Sequence, residues 1–463
     1  MNESMSNAAE RENSKNFSQT TEKLNDRAAE QVARQAAGHA ADEASYAALE
    51  SMKRNEVSLD AIRGSLVGGA AGDALGYPVE FYSLGEIQSI YGEAGITHYH
   101  YGGKGLARIS DDTQMTLFTA TGLLLATTRG RMKGVLAPDT EYVHSSYYTW
   151  YLMQRGHSKF GYEEDEAYPY SWLYRVPEMG ENRAPGNTCM SALSSKKCGS
   201  IEHPLNHSKG CGGIMRVAPV GLYRNRGLCE AKPETNMREN AGDQERTDDL
   251  MMTEQLRTAK QAGVRNPGKD VDRIKDVDWM AAQVAAITHG HPLGYMPAAA
   301  LAHIVNRVAY WNLTIEQAVE DAMSEMKTLF AGTEELDEML VLVDIALQLA
   351  KNEEPDTVNI RSLGEGWVAE ETLAISVYCA VKYADDFSKA IIAAVNHSGD
   401  SDSTGAVTGN IVGAALGYEA IPDEWKDRLE CLDVILEVAD DLCHDCQMSE
   451  SSPYRDPEWM AKY

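Results

Sequence analysis

From Leu59 to the C-terminus the apolar residues recur at spacings of three and four, beginning with Leu59, Ile62 and Leu66, and this period constrains the fold more than any other feature. It predicts helices over 111–128, 279–308, 314–330, 334–351, 368–383, 387–395, 402–416 and 424–442. Start signals support several of them. Thr314-Ile315-Glu316-Gln317 has the reciprocal spacing of a capping box, and Thr333 precedes Glu334 and Glu335, an acceptor followed by negative charge. Strand patterns are confined to short pieces such as Ile96-Thr97-His98-Tyr99, so the expected class is a compact all-α domain. Its first helix carries Gly64, Gly68, Gly69, Ala70, Ala71 and Gly72, which let another backbone or a ligand come close.

The helical pattern divides the 463 residues into an extension at 1–56 and a domain at 57–463. The extension is polar and Ala-rich; it can form helices but has too few large apolar residues for a core of its own. It reads as a solvated tail or as an arm that orders against a partner protein. Within the domain, 156–183 is aromatic and acidic and 228–276 is charged and poor in apolar residues, so both read as insertions. No repeat of solenoid length occurs.

A formal charge of -28 argues against nucleic acid as a partner, because phosphate backbones need clustered Lys and Arg. An anionic ligand would have to be met by metal ions, backbone N–H groups or helix N-termini. Residues 1–17 lack the apolar core of a signal peptide, and no apolar run approaches the roughly 18 residues of a membrane span, so a soluble cytoplasmic protein is expected. The eight cysteines are scattered and read as reduced thiols; Cys443-His444-Asp445-Cys446 is the one suggestive pair and lacks a second pair at zinc-finger spacing.

Two acidic clusters carry the chemistry. Ser110-Asp111-Asp112-Thr113 stands directly before the run Met115, Leu117, Phe118, Leu123, Leu124, where alone it is explained by a helix N-cap. Asp400-Ser401-Asp402-Ser403 follows Asn396-His397-Ser398-Gly399 at a second junction between helices. Adjacent like charges are costly unless a cation or solvent relieves them, and carboxylates with hydroxyls suit magnesium, a hard octahedral ion that retains waters. The loop lacks the Gly and terminal Glu spacing of a calcium-binding EF-hand.

Three further stretches are individually weak. Gly68 to Glu80 and Gly210 to Pro219 are glycine-rich, which close packing explains as readily as a phosphate cradle. In Ile287-Thr288-His289-Gly290-His291-Pro292 the two histidines are two residues apart and do not share a helix face, so zinc is disfavoured; His289 suits a hydrogen bond to a substrate hydroxyl or phosphate.

Taken in order, Gly-Asp-Ala-Leu-Gly-x-x-x-Glu (72–80), Ser-Asp-Asp-Thr (110–113), Gly-Gly-x-Met-Arg (212–216), Thr-His (288–289) and Gly-Asp-x-Asp-x-x-Gly (399–405) resemble the ADP-ribosylglycohydrolase family, of the dinitrogenase-reductase-activating type, from about Leu59 to Pro422. The resemblance implies an all-α orthogonal helical domain with a binuclear metal cleft. Two Mg2+, with Mn2+ as the alternative, would be held by Ser110, Asp111, Asp112, Asp400, Asp402 and Ser403. Serine stands at Ser110 and Ser403 where threonine is common, and either hydroxyl can be a ligand. Glu80 and Asp111 are the catalytic candidates; Gly186, Asn187, Thr188, Ser208, Lys209, Gly210, Cys211, Gly212 and His289 would line the substrate channel, with Cys211 where a polar residue is common.

The implied reaction is hydrolysis of ADP-ribose from a modified protein, ADP-ribosyl-arginine foremost, with serine-linked and free ADP-ribosyl compounds as alternatives. Such cleavage proceeds through an oxocarbenium-like transition state with a positioned water. A reading of a different class is an immunity protein whose 1–56 arm occludes an ADP-ribosyltransferase toxin. A metallophosphoesterase is weaker, because its His-rich ligand sets are missing.

Overall fold

The structure is a computed structural model that describes residues 59–133, 139–157, 170–223, 277–447 and 456–463. The expected extension at 1–56, the insertion at 228–276 and part of that at 156–183 lie outside the described residues. Helices are the regular secondary structure of the described residues; no β-strand occurs among them, only isolated bridges such as Tyr101 to Ala107. No helix among them is long and apolar enough to cross a membrane.

Pro292–Tyr310 is the central helix, buried on nearly every side and packed against Val277–Ala286, Ile315–Leu329, Ala218–Tyr223, Ala369–Lys382 and Ser401–Leu416. A helix apolar all round belongs in the middle of a helical domain. Ser401–Leu416 is equally enclosed, and its small residues explain how. Gly405, Gly409 and Gly413 face Gly72, Gly68 and Gly64 of the helix at 59–76, so the two chains run antiparallel with backbones in contact. A Cβ on Gly72 would lie 2.0 Å from the Gly405 carbonyl oxygen, and one on Gly409 2.0 Å from that of Gly68. The same ladder sets Gly76 against the Ser401 backbone. It thereby brings the end of the first helix to the start of Ser401–Leu416.

Several expected elements differ in instructive ways. The capping box at Thr314 is present, with Thr314 accepting from Gln317 N and Gln317 accepting from Thr314 N, whereas the helix expected from Glu334 starts at Leu336 without a side-chain cap. The span 279–308 is two helices, since His291 caps the second and Pro292 opens it. The span 424–442 is also two, Asp423–Lys426 and Leu432–His444. Between them the chain dips inward and buries Glu430, which pairs with Arg183 at 3.0 Å and accepts the Ile109 N–H. The pattern missed Leu84–Tyr91, Asp139–Leu152, Asn187–Ser194, Asp356–Leu363 and the short Ala218–Tyr223. Ile96 is not in a strand; the Asn396 side chain accepts its N–H and donates to its carbonyl, supplying the partner a strand would. Described residues 170–183 of the expected insertion bury Leu173, Met179 and Arg183. Cys443 and His444 end a helix, after which Asp445 pairs with Arg131 and Tyr223; this is an ordinary helix terminus.

The buried Arg183–Glu430 pair fixes the strand of chain leading into Asp111, because Arg183 also donates to the Ile109 carbonyl. Glu430→Gln is expected to lower stability by about 2 kcal/mol, since a guanidinium 1% exposed would keep only Glu181 as an anionic partner. Chemical denaturation reads this directly; an unchanged midpoint would mean that Glu181 alone suffices.

Candidate active site

Three backbone segments converge on one end of a cleft of about 750 Å³. Asp111 and Asp112 open the helix Asp111–Lys133, and Asp400 caps Ser401–Leu416 by accepting from Ser403 N, so each cluster does serve as a helix start. Glu80 follows the turn Tyr77–Val79 at the end of the glycine ladder. Carboxylate oxygens of Glu80, Asp400 and Asp402 all lie within 4.8 Å of one another. Gly399 makes this approach possible: its φ is +134°, and a Cβ there would meet the Glu365 carbonyl oxygen at 1.9 Å.

The electrostatics are lopsided. Glu80, Asp111, Asp112, Asp400 and Asp402 line the cleft, and among the described residues no Lys or Arg lines it with them. Burial, followed by the charge of Asp402, pushes Glu80, Asp111 and Asp112 well above the usual carboxylate range. Asp402 is raised by burial and then by Asp400. Glu80 Oε2 and Asp112 Oδ2 are buried with no hydrogen-bond partner. Buried anionic oxygens without partners are rare because each forfeits its hydration, and a bound cation would relieve them. The donor set of hard oxygens suits magnesium or manganese.

Asp73, behind the cleft, was assigned no role from the sequence. Its carboxylate accepts Ser110 N at 2.9 Å, Thr113 N at 3.1 Å and the Thr113 hydroxyl, so it holds the whole Ser110–Thr113 turn in register. Burial and then Asp402 raise it to about 7. Ser110 does not line the cleft; its hydroxyl accepts Asp112 N at 3.1 Å and bonds the Asp402 carboxylate from behind. Asp73→Asn is expected to weaken Mg2+ binding about tenfold, because an amide presents a donor to three donors. Calorimetric titration of Mg2+ checks this, and wild-type affinity in the variant would rule out a positioning role.

The rest of the cleft is lined by Gly186, Asn187, Thr188, Gly210, Cys211, Gly212, His289 and Ser403, together with residues the sequence did not single out, among them Phe81, Asn182 and Trp367. Gly186 N-caps Asn187–Ser194 without a side-chain bond, leaving that helix start open toward the cleft, and the Gly186 N–H donates to Asp111 Oδ2 at 3.3 Å. His289 is buried and held down to about 3 by desolvation and then by Arg216. It is therefore a neutral hydrogen-bonding group, with Nδ1 2.8 Å from the Thr288 hydroxyl. Arg216, wholly buried, donates to that same hydroxyl at 2.6 Å and stacks on Tyr147. The Cys211 thiol donates to Asp400 Oδ2 at 2.7 Å.

Two channel candidates fall elsewhere. The Lys209 ammonium pairs with Glu370 and, at 3.6 Å, with Glu338, in a groove away from the cleft. Ser208 sits behind the lining, its hydroxyl 3.2 Å from that of Thr188. Neighbouring residues of a loop point to opposite sides, which residue order does not reveal. Phe81 and Trp367 left no motif signal; they are exposed aromatics stacked at 5.8 Å across the cleft mouth.

The described residues thus form an all-α domain whose cleft gathers five carboxylates, four of them at two helix starts. The chain belongs to the ADP-ribosylglycohydrolase family, whose model matches residues 54–248 and 263–452. ADP-ribosylhydrolase ARH3 of Bos taurus is 23% identical over 178 residues, 34% of this chain and 49% of that protein. ADP-ribosylarginine hydrolase Tri1 of Serratia proteamaculans is 40% identical over 72 residues, 16% of this chain and 19% of that one. The chain thus spans about half or less of the length of these relatives. An uncharacterized Archaeoglobus fulgidus protein is 24% identical over 385 residues, covering 82% of this chain and 95% of its own. A solved structure described as an ADP-ribosylglycohydrolase-related protein complex shares the fold at a TM-score of 0.50 and 21% identity, over 84% of this chain and 99% of that one.

Proposed function

We propose that the chain is a magnesium-dependent hydrolase that releases ADP-ribose from modified arginine side chains. The observation that carries this reading is the convergence of five carboxylates, two with orphaned oxygens, in a cleft that no Lys or Arg of the described residues lines. Asp111, Asp112, Asp400, Asp402 and Ser403 would hold two Mg2+, or Mn2+, with Ser110 supporting from behind. Bound there, the ions would fix the ribose hydroxyls and lower the pKa of a water.

The protein's own groups do the remaining work. The substrate pyrophosphate is met by the open helix start at Asn187 and Thr188 and by the backbone of Gly210 to Gly212, since no Lys or Arg of the described residues lines the cleft. Neutral His289 hydrogen-bonds a ribose hydroxyl or phosphate oxygen; Gly212 leaves it room, since a Cβ there would lie 2.9 Å from His289 Cε1. Glu80 and Asp111 are placed to orient the attacking water and to carry its proton, with positive charge developing at the anomeric carbon beside them. At the mouth, Phe81 and Trp367 offer aromatic faces to a guanidinium, which favours a cationic leaving group over a serine hydroxyl. The partial match to an ADP-ribosylarginine hydrolase supports the same choice.

Release of ADP-ribose from arginine-linked and serine-linked peptides, each with Mg2+ and with EDTA, tests this. Arginine-linked release that vanishes with EDTA is expected, with the serine linkage slower by about a hundredfold. Release from neither linkage would end the hydrolase reading; faster serine release would end the arginine one. Trp367→Ala is expected to raise KM for the arginine-linked peptide about tenfold with little change in kcat, the mark of a binding contact at the mouth.

A further inference from the structure

We infer that Glu141, His144 and Cys198 form a site for a single zinc ion, separate from the acidic cleft. One ligand atom from each lies within 4.8 Å of the other two, and none of the three lines the cleft. Glu141 and His144 are three residues apart on Asp139–Leu152 and so share one helix face. Cys198 arrives from the segment following Asn187–Ser194.

A second observation points to a ligand. His144 is 8% exposed, and its Nε2 is buried without any hydrogen-bond partner. The imidazole also bonds the Lys197 backbone, leaving Nε2 as the nitrogen without a partner. A ring nitrogen anchored on a carbonyl while the other faces a gap is how metal-binding histidines are oriented. The Cys198 thiol has only long contacts, 3.8 Å to the Thr140 carbonyl and 3.7 Å to that of Gly199. Glu141 is exposed and gives the ion an entry path.

The donor set selects the metal. A thiolate, an imidazole and a carboxylate are the ligands of zinc, and are poorly suited to the magnesium proposed for the cleft. Tetrahedral bonds of about 2.0–2.3 Å separate ligand atoms by roughly 3.3–3.8 Å, a rotamer adjustment from the present spacing. Three protein ligands leave the fourth position to water. The ion would tie Asp139–Leu152 to the chain just beyond the helix whose start lines the cleft, and would brace that wall from behind.

Cobalt titration of the full chain in excess Mg2+ decides the matter, because thiolate bound to Co2+ gives a charge-transfer band in the near ultraviolet. One equivalent of Co2+ should develop the band in the wild type, and Zn2+ should abolish it. Cys198→Ser should lose the band, and Glu141→Gln, a surface change that spares the fold, should weaken Co2+ binding by about tenfold or more. Persistence of the band in folded Cys198→Ser would place the metal on another thiol, such as Cys211 or Cys443, and would overturn the assignment. So would absence of a band in the wild type, or wild-type affinity in Glu141→Gln.

Discussion

Asp402→Asn is expected to slow ADP-ribose release by about a thousandfold while making the metal-free protein more stable, two effects of opposite sign from one side chain. The rate falls because an amide is a poor substitute for a carboxylate ligand to a hard cation. Stability rises because Asp402 is a named source of repulsion on Asp73, Glu80, Asp111 and Asp112. These groups hold their protons more tightly in the folded chain than in the unfolded one. Their contribution to stability is therefore complete below the ordinary carboxylate pKa of about 4 and is lost as pH rises through the raised values. For Asp73, raised to about 7, the loss runs from about pH 4 to 7. In EDTA the thermal midpoint of the wild type should fall with rising pH across that window, and Mg2+ should flatten the slope by favouring the ionised forms. A profile in EDTA that is already flat, or wild-type turnover by the variant, would remove the cation from the account.

Gly72→Ala should cost about 3 kcal/mol and weaken Mg2+ binding at the same time. In an exposed helix the change would gain about 1 kcal/mol from propensity. Here the new Cβ would stand 2.0 Å from the Gly405 carbonyl oxygen, a backbone atom that no rotamer can move. The helices must part, and parting them moves Glu80 away from Asp400 and Asp402. Gly85, exposed in the helix Leu84–Tyr91 with nothing within 4 Å of its Cβ position, is the control: its alanine variant should melt at or slightly above the wild type and match it in metal titration. Equal behaviour of the two variants would mean that the ladder tolerates spreading.

What could be read in advance follows from range. Caps and helix periods are local, so Thr314 with Gln317 was legible, as were the positions of both acidic clusters at helix starts. The break at Gly290-His291-Pro292 was also written locally, yet the apolar period on either side ran through it. The break before Leu432 was not, because its cause is the burial of Glu430 against Arg183, 247 residues away in sequence. Lys209 was misplaced for the same reason: its partners, Glu338 and Glu370, come from two other helices. Asp73 and Arg216 stand inside the quoted motifs, but what each holds lies far away in sequence, and Phe81 and Trp367, which meet only in the fold, fall outside the motifs.

By itself the sequence determined the all-α class, since apolar period and caps act over a turn or two of chain. Its five ordered motifs also determined the family. Only the tertiary structure decided that the small residues of the first helix meet those of Ser401–Leu416 backbone to backbone. That contact brings Glu80 to Asp400 and Asp402, and its physical reason is plain: like charges converge only where close packing holds them against their own repulsion.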